Sequence, residues 1–129
     1  MANWDDVTRV AERLPQTHLN GAPGFRKWSI IDGKDLAWER PLRTGEIKRQ
    51  LADGQPVPTG DIIAFHVPGV EAKLAYLQME PLKYFEIPHF AGYPAVLAHL
   101  AELTEADLSE LLYEAFLVKA PKKLLSLLD

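Results

Sequence analysis

Four histidines, at positions 18, 66, 89 and 99, are the side chains whose ordinary pKa puts a charge change near neutrality. No two stand at the i, i+4 spacing that lets a helix hold a metal ion, and the chain has no cysteine, so no thiolate site, disulfide or cysteine nucleophile is available. No metal is expected. His66 and His99 fall in runs that read as strands, and His18 lies in a turn region without an evident partner. His89 is different. It sits in "YFEIPHFAGYPAVLAHL" (residues 84–100), where Pro88, Phe90, Gly92, Tyr93 and Pro94 make a compact loop. There it either fixes the turn through backbone hydrogen bonds or, with Tyr93, meets a ligand.

Nucleophilic catalysis needs a hydroxyl or thiol beside a base, and Ser29, Ser109 and Ser126 carry no G-x-S-x-G or similar surroundings. "DGK" and "PGV" each hold one glycine and match no phosphate-cradling motif. The carboxylate pairs Asp5/Asp6 and Glu110/Glu114 suit a helix start and a solvated helix face. These residues predict no catalytic group and no cofactor. Recognition is the remaining chemistry. Residues 26–49 hold seven cations (Arg26, Lys27, Lys34, Arg40, Arg43, Lys48, Arg49) against four acids (Asp32, Asp35, Glu39, Glu46), a local excess that makes a candidate patch. Trp28, Trp38, Phe85, Phe90 and Tyr93 lie in or beside predicted strands. Trp28 and Phe85 are expected in the core, and Trp38 and Tyr93 are as well placed for contact with a ligand.

These residues need a scaffold. "NWDDVTRVAERLP" spaces Trp4, Val7, Val10, Ala11 and Leu14 as an amphipathic helix, capped by Asn3 and stopped by Pro15. "QTHLNGAPG" reads as a turn-rich connection. Residues 25–31 alternate as a strand, "DG" turns the chain, and "KDLAWERP" returns, a hairpin whose register decides which faces Trp28 and Trp38 take. Residues 42–60 read as a long loop with at most a short helical turn. "DIIAFHV" is a buried strand, and "VEAKLAYLQME" a helix with Val70, Leu74 and Leu77 on its apolar stripe and Lys73 elsewhere. "KYFEI" and "PAVLAHLAEL" flank the His89 loop as strands. Thr104 and Asp107 form a capping box ahead of Leu108, Leu111, Leu112, Ala115 and Phe116, and "KKLLSLL" follows Pro121 as a short terminal helix. The order α-β-β-β-α-β-β-α predicts a two-layer α+β domain, an antiparallel sheet of about five strands with helices on one face.

At 129 residues and 47% hydrophobic, the chain supports one core and one domain. Its formal charge of −4 excludes a globally basic nucleic-acid binder. Residues 1–65 hold nine basic and nine acidic side chains, and residues 66–129 hold five and nine, so all the net charge belongs to the second half. The acidic N-terminus is unlike a signal peptide and no apolar run is long enough to span a membrane, which predicts an unexported, cytoplasmic protein without a membrane partner.

"LAWERPL" (residues 36–42), "KYFEIPHFAGYPAVLAHL" (residues 83–100) and "LSELLYEAFLVKAPKKLL" (residues 108–125), in that order and spacing, resemble the MmcQ/YjbR family of small bacterial proteins. The resemblance runs from about Trp4 to the C-terminus and departs at Phe116, where that family usually carries tryptophan. It implies a compact α/β domain like that of CyaY or of secretion chaperones, and a DNA-binding label. It brings no catalytic residues.

Two classes of function follow. In the first, a DNA-binding module uses the seven cations, joined by Lys119, Lys122 and Lys123, and its affinity falls steeply with salt. In the second, a non-enzymatic domain receives a protein or small ligand on the sheet face or in a groove beside "PHFAGYP", around Trp38, His89 and Tyr93. The direction in which the seven cations point separates the two. The sequence sets no oligomeric state.

Overall fold

The computed structural model describes residues 1–31 and 33–128. The chain opens with helix α1 (Trp4–Ala11), and Asn3 and Asp6 exchange side-chain and backbone bonds of 2.9 Å in the capping box that begins it. Strands β1 (Thr17–Asn20), β2 (Lys27–Ile30) and β3 (Asp35–Glu39) follow, then α2 (Thr44–Ala52), β4 (Ile62–His66), α3 (Val70–Met79), β5 (Tyr84–Phe85) and β6 (Ala95–His99). Helices α4 (Glu105–Lys119) and α5 (Lys122–Leu125) close the chain. The six strands form one antiparallel sheet in the order β1-β2-β3-β4-β6-β5. The α+β reading holds, and the turn of the first hairpin includes Asp32, which lies outside the described residues.

Antiparallel pairing decides which side chains share a face. Trp28 stands opposite Ala37 and Lys27 opposite Trp38, so the two tryptophans lie on opposite faces of the sheet. On the first face, Trp28, Ile63, Phe65, Val96 and Ala98 meet Val7 and Val10 of α1 and Leu108, Leu111, Leu112 and Phe116 of α4 in the main core. Trp4 stacks on Trp28 with ring centres 5.7 Å apart, and the Trp28 indole N–H donates to the Thr8 hydroxyl at 2.9 Å. A bulge between Trp28 and Ser29 brings both to the interior, where Ser29 donates to Asp35 at 2.6 Å. The capping box of Thr104 and Asp107 starts α4 as the spacing requires.

Four elements differ from expectation. Residues 17–20 form an edge strand: the short polar "THLN" carries no β pattern of its own and is ordered by pairing with β2. Residues 44–52 are helical, although no residue of α2 is buried, which is why no apolar period announces it. Only Tyr84 and Phe85 of "KYFEI" are strand, and Phe85 is half-buried on the second face against the His99 ring rather than in the main core. Helix α3 is rotated from its expected orientation: Val70 and Leu74 are exposed, and Lys73 is 2% exposed. Among the described residues no helix is long and apolar enough to cross a membrane.

A candidate binding cleft on the second face of the sheet

The second face has its own smaller cluster of Ile62, Ala64, Ala95 and Leu97, roofed by Ile87 and Phe90 from the segment after β5. The loop of residues 88–93 is therefore more than a connection between strands. Its first turn is a 3-10 helix (Pro88–Phe90), and Gly92 takes a φ of 75°, a conformation that suits glycine. Lys73 holds it in place. The buried ammonium donates to the Phe90 carbonyl at 2.6 Å and the Tyr93 carbonyl at 2.8 Å, and pairs with the Glu86 carboxylate, so each of its three protons has an acceptor. A charge taken from water at this depth is tolerated because it is fully partnered.

Between this loop and the β2–β3 end of the sheet lies a cleft of about 820 Å³. Trp38, Phe90 and Tyr93 make its aromatic surface: Phe90 lies 6.4 Å from Trp38 and 6.2 Å from Tyr93 between ring centres. His66 supports them from within the sheet, its ring 4.8 Å from Trp38 and 5.8 Å from Tyr93. Burial, with the Lys119 charge adding to it, pushes the His66 pKa down to about 4, and its Nδ1 is buried without a hydrogen-bond partner among the described residues. His66 is thus a neutral ring at physiological pH.

Arg26, Lys27, Arg40 and Arg43 border the same cleft, with Glu39 as its carboxylate. Their availability differs. Arg40 is 7% exposed, grips Glu46 with two bonds of 3.0 and 2.6 Å, donates to the Pro41 carbonyl at 2.7 Å and lies 5.5 Å from the centre of the Phe90 ring. Burial opposes ionisation of Glu46, but its bonds from Arg40 and from the Arg43 amide outweigh that and hold its pKa below the ordinary value. Arg26 donates to Glu39 at 2.9 Å, and Glu39 also accepts from the Gly24 amide at 2.8 Å, so the cleft's carboxylate is occupied. Lys27 is more than half exposed and reaches Asp35 only at 3.8 Å, while Arg43 is exposed with no carboxylate in ion-pair range among the described residues. Arg43 is thus open to a ligand without loss of an ion pair among the described residues, and Lys27 gives up only a long, solvent-exposed one.

The ten residues singled out from sequence divide in space. Trp38, His89, Tyr93, Arg26, Lys27, Arg40 and Arg43 all border this cleft. Lys48 and Arg49 are exposed on α2, Arg49 lying 3.7 Å from Asp53, and Arg49 shares with Arg43 and His89 a smaller concavity. Lys34 lies apart, lining a third concavity with Lys119 and Lys123. The seven cations do not form one face. Sequence reading missed Lys73, since Val70, Leu74 and Leu77 make an equally regular stripe in a helix apolar nearly all round, and nothing local favours the stripe that buries a lysine.

No family model matches the chain, and no solved structure does. The uncharacterized protein Rv2570 of Mycobacterium tuberculosis (strain ATCC 25618 / H37Rv) is 44% identical over 124 residues, covering 96% of this chain and 93% of that protein. The uncharacterized protein Mb2600 of Mycobacterium bovis matches to the same extent, 44% over 124 residues. The chain belongs to the same family as these uncharacterized proteins. The match spans nearly the whole of both sequences, so the likeness extends over both faces of the sheet rather than over one motif.

Proposed function

We propose that this family member is a non-enzymatic binding domain, cytoplasmic, whose cleft beside residues 88–93 receives an anionic ligand with a flat or apolar part. One observation carries this reading: the exposed cations Lys27 and Arg43 border an aromatic surface of Trp38, Phe90 and Tyr93 in a cleft whose one carboxylate among the described residues, Glu39, is already engaged. Its volume of about 820 Å³ lies within the range of ordinary ligand sites, roughly 300–1,000 Å³. Anilinonaphthalene sulfonate, an anionic aromatic dye, tests the reading in a fluorescence titration of the folded protein. Saturable binding at one site that weakens at least fivefold in the K27Q/R43Q double variant is expected. Binding that is non-saturable, or indifferent to both substitutions, would overturn it.

Nucleic acid is the second reading, suggested by the MmcQ/YjbR resemblance and favoured by aromatic rings beside cations, the combination that holds single strands. Duplex DNA is less well supported, because Arg26 and Arg40 are spent in ion pairs and Lys34 lies on another part of the surface. Anisotropy titrations with a labelled mixed-sequence duplex and a labelled oligothymidylate, at low and near-physiological salt, separate these cases. Salt-sensitive binding of the single strand, lost in K27Q/R43Q, identifies the ligand as nucleic acid. Salt-sensitive duplex binding that survives K27Q/R43Q places DNA outside the cleft, and no binding of either removes the nucleic-acid reading.

A further inference from the structure

The acidic half of the chain carries a surface of opposite character. On α3, Ala72, Ala75, Tyr76 and Met79 recur at the i, i+3, i+4, i+7 spacing of one helix stripe and floor a groove of about 290 Å³ facing α4. Glu80, Glu110 and Glu114 edge it. Glu114 accepts the Tyr76 hydroxyl at 2.5 Å, which ties the two helices together across the groove. Burial, then that bond and the nearby carboxylates, drive the Tyr76 pKa upward. Met79 is 79% exposed beside these acids. An apolar floor with a carboxylate rim is the complement of a short basic amphipathic helix.

The same molecule displays such a helix. None of the nine residues of α2 is buried, Leu51 is 64% exposed, and Lys48 and Arg49 stand exposed within one turn of it. Lys48 and Leu51, three residues apart, share a face, with Ile47, four residues before Leu51, beside them. A helix that contributes nothing to its own core, yet keeps an exposed leucine beside Lys48 on one face, has the composition the groove calls for.

We propose that α2 of one copy docks in the α3–α4 groove of a second copy. Two different surfaces meet, so the contact is head-to-tail, and each copy retains one free α2 and one free groove. A nine-residue helix in a groove of this size makes a small interface, well below the roughly 1,200–2,000 Å² of stable complexes, so the association is weak, concentration-dependent and open-ended. Its charge pairs are exposed, and salt weakens it.

Sedimentation of the full chain over a wide concentration range tests this. Weight-average mass should rise above the 14.5 kDa of the single chain as concentration increases, and fall back when salt is added. K48E/R49E and E80K/E110K alter exposed side chains at the cost of the surface pairs Arg49–Asp53 and Glu80–Lys83, and should each remain monomeric with native circular dichroism and a melting temperature within about 5 °C of the parent. An equimolar mixture of the two variants should associate again, since the acidic α2 of one meets the basic groove of the other and the reverse contact is native-like in sign. A mass that stays at one chain at every concentration overturns the proposal. So does self-association that either variant leaves intact, or a mixture of monomeric variants that fails to recover it.

Discussion

The cleft on the second face and the groove between α3 and α4 are concavities of opposite charge built in opposite ways. The cleft is held by buried ionic groups: Lys73 gathers the 88–93 backbone, and Arg40, locked to Glu46, lies against Phe90. Among the described residues the groove has a single cross-helix bond, from Tyr76 to Glu114, and its floor joins the exposed Ala75 and Met79 to Ala72 and Tyr76, which also pack on the main core. Ordering a concavity in advance costs conformational entropy at folding rather than at binding, which favours a defined ligand. A groove without such fixing suits a partner that brings its own rigid helix. Rotation of α3 to insert Lys73 shapes both sites at once: it anchors the cleft loop and turns Ala75 and Met79 outward.

The largest expected effect breaks that shared cause. Lys73→Met should cost about 3 kcal/mol in a urea melt, the range for removing one partner of a buried ionic cluster, and should also abolish dye binding in the cleft. A loss below about 1 kcal/mol would mean that the loop is held by Phe90 packing alone. The second effect is a pH dependence on the cleft side. The folded-state pKa of His66, about 4, lies below the ordinary 6.5, so the unfolded chain takes up more protons between those values. Its contribution is fully present above pH 6.5 and is lost as pH falls toward 4, a change on the order of 3 kcal/mol. His66→Leu should flatten that window, while the loss belonging to Glu46 and Asp107, whose pKa values are lowered, begins only at lower pH.

Smaller effects sharpen the contrast. Glu46→Gln leaves Arg40 with a weaker acceptor and should cost about 2 kcal/mol while reducing dye affinity, because Arg40 supports the Phe90 ring. On the other side, Tyr76→Phe removes one bond to a half-buried carboxylate and should cost about 1 kcal/mol with no change in dye binding. Arg43→Gln should leave stability within about 0.5 kcal/mol and weaken the dye severalfold, as befits an exposed cation without an ion pair among the described residues.

Helices α1 and α4 were legible because their caps and apolar stripes agree, and β4 because all five of its residues are buried. β1 and α2 were not, because each is specified from outside: β1 by its pairing with β2, and α2 by the Glu46 bonds to Arg40 and to the Arg43 amide rather than by an apolar face. Seven of the ten candidate site residues meet in one cleft, since the hairpin register sets Lys27 against Trp38 and the residues after β3 run on beside them. What sequence could not give was the split among the cations. Whether an arginine is free depends on a glutamate that folding brings to it, and Glu39 and Glu46 look no different in the sequence from the acids that stay in solvent.

The three tryptophans are divided between the two sides of the sheet. Trp4 and Trp28 lie nearly parallel, 17° apart and away from the cleft, so their indole transitions couple and should give a paired near-ultraviolet dichroism band that reports the main core. Trp38 stands alone among the aromatics of the cleft, in contact with His66, whose protonated ring would quench it. The molecule thus carries two separate optical gauges, and replacing Trp4 and Trp28 by phenylalanine would leave an emission signal that follows the occupancy of the cleft alone.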